Sequence, residues 1–175
     1  LMRFEEARIR RLVFGRIPGY GAAPHYRGTS GLLVVGLGGR YPDLQEASGR
    51  KVEVIGAFTR DMAENYLSQR AFDAVILDST LDETLESLRL IRMDSRFTAI
   101  PVLVVTDHPG DTAMLWKAGA NDVLTLPLDE TNLRARLATA IRHGKRRRLA
   151  DKVLAESHRW LTQQLDKGGV SQDDY

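Results

Sequence analysis

At 175 residues, 43% apolar and 27% charged, the chain is long enough to bury one core of about 120 to 150 residues with appendages at its ends. It contains no cysteine, which excludes disulfides and thiolate metal sites. The formal net charge is only +2, and the basic excess is local, in Arg8, Arg10 and Arg11 and in Lys145 to Arg148, so a globally basic nucleic-acid binder is not indicated. No apolar run approaches the roughly 18 residues that a membrane span needs, and no signal peptide is recognisable. The expected setting is cytoplasmic, without a membrane partner.

Residues 1 to 14, LMRFEEARIRRLVF, carry Phe4, Ala7, Ile9, Leu12 and Val13 on one helical face and read as a helix without a domain of its own. Residues 15 to 30 hold Gly, Pro, Ser and Thr in amounts that break periodic structure, and read as a linker. From residue 31 short apolar runs alternate with longer amphipathic stretches. LLVVG (32 to 36), VEVIGAF (52 to 58), AVILD (74 to 78), PVLVVTD (101 to 107) and DVLTL (122 to 126) are strand candidates. Between the first two, Pro42 and several glycines predict a short or distorted helix. TRDMAENYLSQR (59 to 70) opens on Thr59 as N-cap and sets Met62, Tyr66 and Leu67 on one side. DETLESLRLIRMD (82 to 94) spaces Leu85, Leu88 and Ile91 helically, and DTAMLWKAG (111 to 119) closes on Gly119. The last helix opens on Asp129 and aligns Leu133, Leu137 and Ile141, with Arg134, Arg136 and Arg142 beside them. It is expected to run on through Gly144 as an extension over 144 to 166, before a flexible tail at 167 to 175.

Strands that are nearly continuously apolar and alternate with helices argue for a doubly wound parallel sheet covered on both faces. Such sheets keep their crevice outside the carboxyl ends of the strands. Gly36 and Leu37, Asp78, Thr106 and Leu126 are therefore expected around one pocket. The order LLVVGL, FDAVILDSTL, IPVLVVTD, KAGANDVLTLP resembles the receiver domain of bacterial response regulators over residues 31 to 143, with AGANDVLTLP its most specific part. The resemblance implies a flavodoxin-like receiver fold, five strands in the order 2-1-3-4-5, with an extended C-terminal helix.

It also implies phosphoryl transfer to an aspartate, whose parts can be checked one by one. The acceptor matches Asp78, and the hydroxyl that follows the phosphoryl group matches Thr106. The two acids that bind Mg²⁺ after the first strand are replaced by Gly36 and Leu37, the lysine before Pro127 by Leu126, and the fifth-strand aromatic by Val123. A hard cation wants oxygen ligands, and losing one electrostatic donor typically costs about 10² to 10³ in rate. The expectation is a degenerate receiver without catalysis, cofactor or bound metal, in which Asp78 is structural; the alternative is a working phosphoacceptor switched at Asp78.

What remains is a surface. The resemblance places pairing on the fourth helix, fifth strand and fifth helix, with Trp116, Asn121, Asp122, Leu133, Arg134, Arg136, Leu137 and Ile141 as interface candidates for a homodimer or a protein partner. The opening helix loosely echoes residues 134 to 141, so the chain is also similar to the second receiver of PleD/PopA-type tandem-receiver GGDEF proteins. That implies a neighbouring receiver and a GGDEF domain outside this chain, and a role as dimerisation adaptor in two-component or cyclic-di-GMP signalling. Other motifs are weak: GLGG (36 to 39) lacks the spacing of a phosphate loop, and His25, His108, His143 and His158 lack metal spacing. KRRR (145 to 148) has no recognition helix or aromatic platform beside it, so nucleic acid is not expected as a partner.

Overall fold

The strand register makes one sheet of five parallel strands. In the computed structural model, which describes residues 30–168, these are β1 (Ser30–Val35), β2 (Val52–Ala57), β3 (Ala74–Leu77), β4 (Val102–Thr106) and β5 (Asp122–Thr125), in the order β2-β1-β3-β4-β5. Central Leu33 pairs with Ile55 on one side and Val75 on the other. Alternation along each strand divides the core in two. Leu33, Val35, Val75, Leu77, Val102 and Val104 face one layer, while Leu32, Val34, Ala74, Ile76, Leu103 and Val105 face the other. This explains why the strands read as unbroken apolar runs: both faces are covered.

The first layer is supplied by α2 (Arg60–Gln69), α3 (Leu81–Met93) and α4 (Thr112–Lys117), through Ala63 and Leu67, Leu88 and Ile91, and Leu115 respectively. The second comes from α1 (Tyr41–Ser48) through Leu44 and from α5 (Glu130–Gly168) through Leu133 and Leu137. The Thr59 hydroxyl caps α2 by accepting from the Met62 N–H at 3.2 Å, and the Asp129 carboxylate caps α5 by accepting from the Asn132 N–H at 2.9 Å. The chain turns out of α4 at Gly119, whose φ of +112° favours glycine.

The helix expected to be short or distorted is short: α1 has eight residues, and Pro42 sits in its first turn, where no N–H is needed. Two other expectations change. The helix expected over 111 to 119 is shorter, Thr112–Lys117, because Pro109–Asp111 form a separate 3₁₀ turn ahead of it. Ser30, expected as the last linker residue, is buried and begins β1, its N–H donating to the Lys51 carbonyl at 3.3 Å. The expected helix 1–14, the linker 15–29 and the tail from 169 lie outside the described residues. Helix α5 continues without a break through Gly144 to Gly168, 39 residues and so roughly 58 Å long. No described helix is long and apolar enough to cross a membrane.

Candidate functional site

The carboxyl ends of β1, β3, β4 and β5 converge on a cleft of about 440 Å³ whose wall includes Arg40, Asp78, Thr84, Thr106, Asp107 and Leu126. Of the residues expected around one pocket, the cleft gathers Asp78, Thr106 and Leu126, whereas Gly36 and Leu37 line a separate cavity with Phe58, Thr59 and Arg60; Asp78 follows β3 directly. The Asp78 side chain is only 5% exposed, because the loop after β1 folds over it. Asp78 N–H donates to the Val35 carbonyl at 2.8 Å, and its own carbonyl accepts from Gly38 N–H at 2.9 Å. Its carboxylate oxygen Oδ2 accepts from the Arg40 N–H at 2.9 Å. Gly38 rests against the carboxylate so closely that a Cβ there would lie 1.9 Å from Oδ1.

Gly36 is nearly as tight. Its φ is +122°, and a Cβ would sit 2.1 Å from the Ser79 hydroxyl and 2.2 Å from the Asp78 carbonyl oxygen. Leu37 is 63% exposed. At the other positions Thr106 Oγ1 accepts from the His108 N–H at 3.1 Å, which ties this hydroxyl into its own turn. Val123 is buried in the core, and Leu126, joined to Pro127 by a cis peptide bond, lines the cleft.

A magnesium ion does not fit this donor set. Such an ion is held by one or two carboxylates within an octahedron of oxygens; Gly36 and Leu37 offer no side-chain oxygen, and the Asp78 carboxylate is already engaged by the loop. Among the described residues no group of three His, Asp or Glu side chains is placed to hold a metal.

Two residues at the cleft escaped the sequence reading. Arg40 brings a positive charge where none was expected; its guanidinium donates through Nη1 to the Gly38 carbonyl, bracing the loop. Its place one residue before α1, in the loop that leaves β1, was the signal available. Thr84 is 1% exposed, and its hydroxyl has no hydrogen-bond partner.

The interface candidates separate into core and surface. Leu133, Leu137 and Ile141 are 4%, 0% and 6% exposed: this stripe faces the domain, so it is corrected from interface to core. Asn121 is occupied within the chain, its Oδ1 accepting from Val102 N–H at 2.7 Å and from Arg92 Nη2 at 2.6 Å. Arg92 also donates to the Gly119 and Ile100 carbonyls, and its burial pulls its pKa below the ordinary arginine value. Asn121→Ala would strip Val102 N–H and Arg92 of a partner; we expect a loss of about 1–3 kcal/mol, read as a lower urea midpoint that does not depend on protein concentration.

Asp122 and Arg136 pair at 3.1 Å, with Arg136 also donating to the Val123 carbonyl at 2.8 Å. Arg134 pairs with Glu130 at 2.6 Å on the same helix. Trp116 is about half exposed on α4. Of the interface candidates, Trp116, Arg134 and the Asp122–Arg136 pair thus remain at least partly exposed.

Solved structures match this architecture across the sheet and its helices. The chemotaxis response regulator CheY4 of Vibrio cholerae aligns with a TM-score of 0.56 and 19% identity, over 64% of this chain and 98% of that one. The fold is that of a receiver domain. A response regulator from Thermotoga maritima gives a TM-score of 0.56 at 24% identity, over 65% of this chain and 98% of that one. The receiver domain of the sensor histidine kinase PA1611 from Pseudomonas aeruginosa PAO1, which carries a magnesium ion in its active-site cleft, gives 0.53 at 20%, again over 65% and 98%. No protein-family model matches the chain, and no curated protein does. The likeness is one of receiver fold, and the site must be argued from its own residues.

Proposed function

We propose that this receiver-fold domain is a non-catalytic interaction module, a pseudo-receiver working as adaptor or homodimer in bacterial two-component or cyclic-di-GMP signalling. The observation that carries the reading is the closed Asp78: its carboxylate accepts from the Arg40 N–H at 2.9 Å with Gly38 packed against it. Around it Gly36, Leu37 and Leu126 supply neither metal ligand nor ammonium group. In-line transfer needs a cation to neutralise the charge that builds on the phosphoryl group, and the side chains at 36 and 37 bring no oxygen to hold one. The surface left for partners is the face bearing Trp116, Arg134 and the Asp122–Arg136 pair, with an adjacent receiver and a GGDEF domain as the neighbours that the sequence resemblance suggests.

A working phosphoacceptor is the second reading, and Arg40 is what favours it. A guanidinium on the cleft wall is a charge suited to phosphoryl oxygens, and Thr106 lines the same cleft.

Tryptophan fluorescence and size-exclusion elution of the chain, with and without Mg²⁺ and beryllofluoride, separate the two. Trp116 sits on α4, the helix bordering the face at issue. No change in either signal is expected. A Mg²⁺-dependent shift in both that vanishes in Asp78→Asn would overturn the adaptor reading in favour of the switch.

A further inference from the structure

The acid at the other end of β3 is as well placed as Asp78 and has a different task. Asp73 precedes the strand and is 0% exposed. Its Oδ2 accepts from the Gly31 N–H at 2.8 Å, and its Oδ1 accepts from Arg148 Nε at 2.8 Å. Backbone adds a third link, Asp73 N–H donating to the Gly31 carbonyl at 2.8 Å. Gly31 is the second residue of β1, where the chain enters the domain; Arg148 lies on α5, where the chain leaves it. One buried carboxylate therefore ties together two segments more than a hundred residues apart in sequence.

Two more residues of α5 close on the same spot. Gly144 lies so near the Asp73 backbone that a Cβ would be 1.7 Å from its carbonyl oxygen. Arg147 Nη2 donates to the Phe72 carbonyl at 3.5 Å. Residues 144, 147 and 148 are spaced i, i+3, i+4 and so share one helix face. That face holds α5 against the domain for a turn beyond Ile141. Every residue from Leu149 to Gly168 is then exposed, and the free part of the helix carries Leu149, Val153, Leu154, Trp160, Leu161 and Leu165.

We propose that Asp73, with Gly144, Arg147 and Arg148, is a coupling joint that fixes the direction of the α5 extension relative to the chain entering at Gly31. A charged hydrogen bond to a buried carboxylate is directional and short, and the glycine contact admits no other helix register. The extension is thus a rigid arm rooted at the base of the sheet, on the same strand as Asp78 but at its opposite end. Half of the KRRR run is explained by this role: Arg147 and Arg148 belong to the joint, while Lys145 and Arg146 are exposed. The joint is independent of whether Asp78 accepts a phosphoryl group.

The test uses the full chain, whose lack of cysteine lets two spin labels be placed at Ser68→Cys on α2 and Thr162→Cys on the arm, both exposed. A narrow distance distribution is expected in the parent, and a broad one in Asp73→Asn, which keeps an acceptor for Gly31 but loses the charge facing Arg148. Arg148→Gln should broaden it likewise, and decides the matter alone if Asp73→Asn fails to fold. Trypsin cleavage after Lys145, Arg146 and Arg147 should rise about 10- to 100-fold in Asp73→Asn, with cleavage after Lys152 and Arg159 as internal reference. An unchanged distribution and unchanged relative cleavage would overturn the joint. No phosphodonor enters the experiment, so its failure leaves the adaptor reading standing, and a beryllofluoride response would leave the joint standing.

Discussion

Gly36→Asp, which returns an acid to the loop after β1, is expected to cost about 2–5 kcal/mol of stability and to bring no affinity for Mg²⁺. Two independent terms produce the loss. The backbone at Gly36 has φ +122°, a region that costs a side-chain-bearing residue about 1–3 kcal/mol. The added Cβ also meets the Ser79 hydroxyl at 2.1 Å and the Asp78 carbonyl oxygen at 2.2 Å. The second neighbour cannot step aside, since that carbonyl accepts from the Gly38 N–H at 2.9 Å and belongs to the turn that holds Asp78 in place. Relief requires the whole 36 to 40 loop to lift, which breaks the Arg40 to Asp78 hydrogen bond and exposes the carboxylate. The closure of the loop over Asp78 is therefore fixed by backbone as well as side chains, and one substitution does not open it. Urea unfolding at unchanged m-value measures the first part, and a Mg²⁺ titration followed by tryptophan fluorescence the second. A variant with the parent midpoint that binds Mg²⁺ would show that the loop is free to open, and the closed-site argument would fall.

Much of this architecture was legible because its determinants are local. Strand after strand of Val, Ile and Leu requires a sheet covered on both faces, and Asp78 at the end of one such strand has to lie at the crevice. Thr59 and Asp129 announced helix starts for the same reason: a cap is a matter of three or four residues. The features that escaped notice depend on long-range packing. Arg40 reaches the cleft because Gly38 can lie flat on a carboxylate 40 residues later. The joint at Asp73 needs a helix 75 residues away to present Arg148. Nothing local marks Asp73, next to a strand, or Gly144, inside a helix, as members of one contact. Around Pro42 the sequence left a short and a distorted helix both open, because a proline is tolerated in the first turn and disruptive one turn later, and the sequence does not show where α1 begins to within that margin.

The apolar stripe of α5 is the instructive ambiguity, and Leu137→Ala resolves it. Periodicity states that Leu133, Leu137 and Ile141 share a face; it does not state what the face meets. In the structure Leu137 is 0% exposed and packs in the layer that includes Leu32, Leu44, Leu103 and Leu133. Truncation leaves a cavity in a core close-packed from both the helix and the sheet, and the expected loss is about 2–5 kcal/mol, a large share of what a domain of this size has to spare. A residue buried within the protomer shows the same loss at every protein concentration. One buried only on self-association would show a loss that grows as the protein is concentrated, because dimerisation stabilises by mass action. Urea midpoints of the parent and Leu137→Ala at two concentrations a hundredfold apart distinguish these cases. A concentration-dependent or negligible loss would return the stripe to the interface. A constant one leaves the exposed candidates on α4, β5 and α5, Trp116, Arg134 and the Asp122–Arg136 pair, as the part available to a partner.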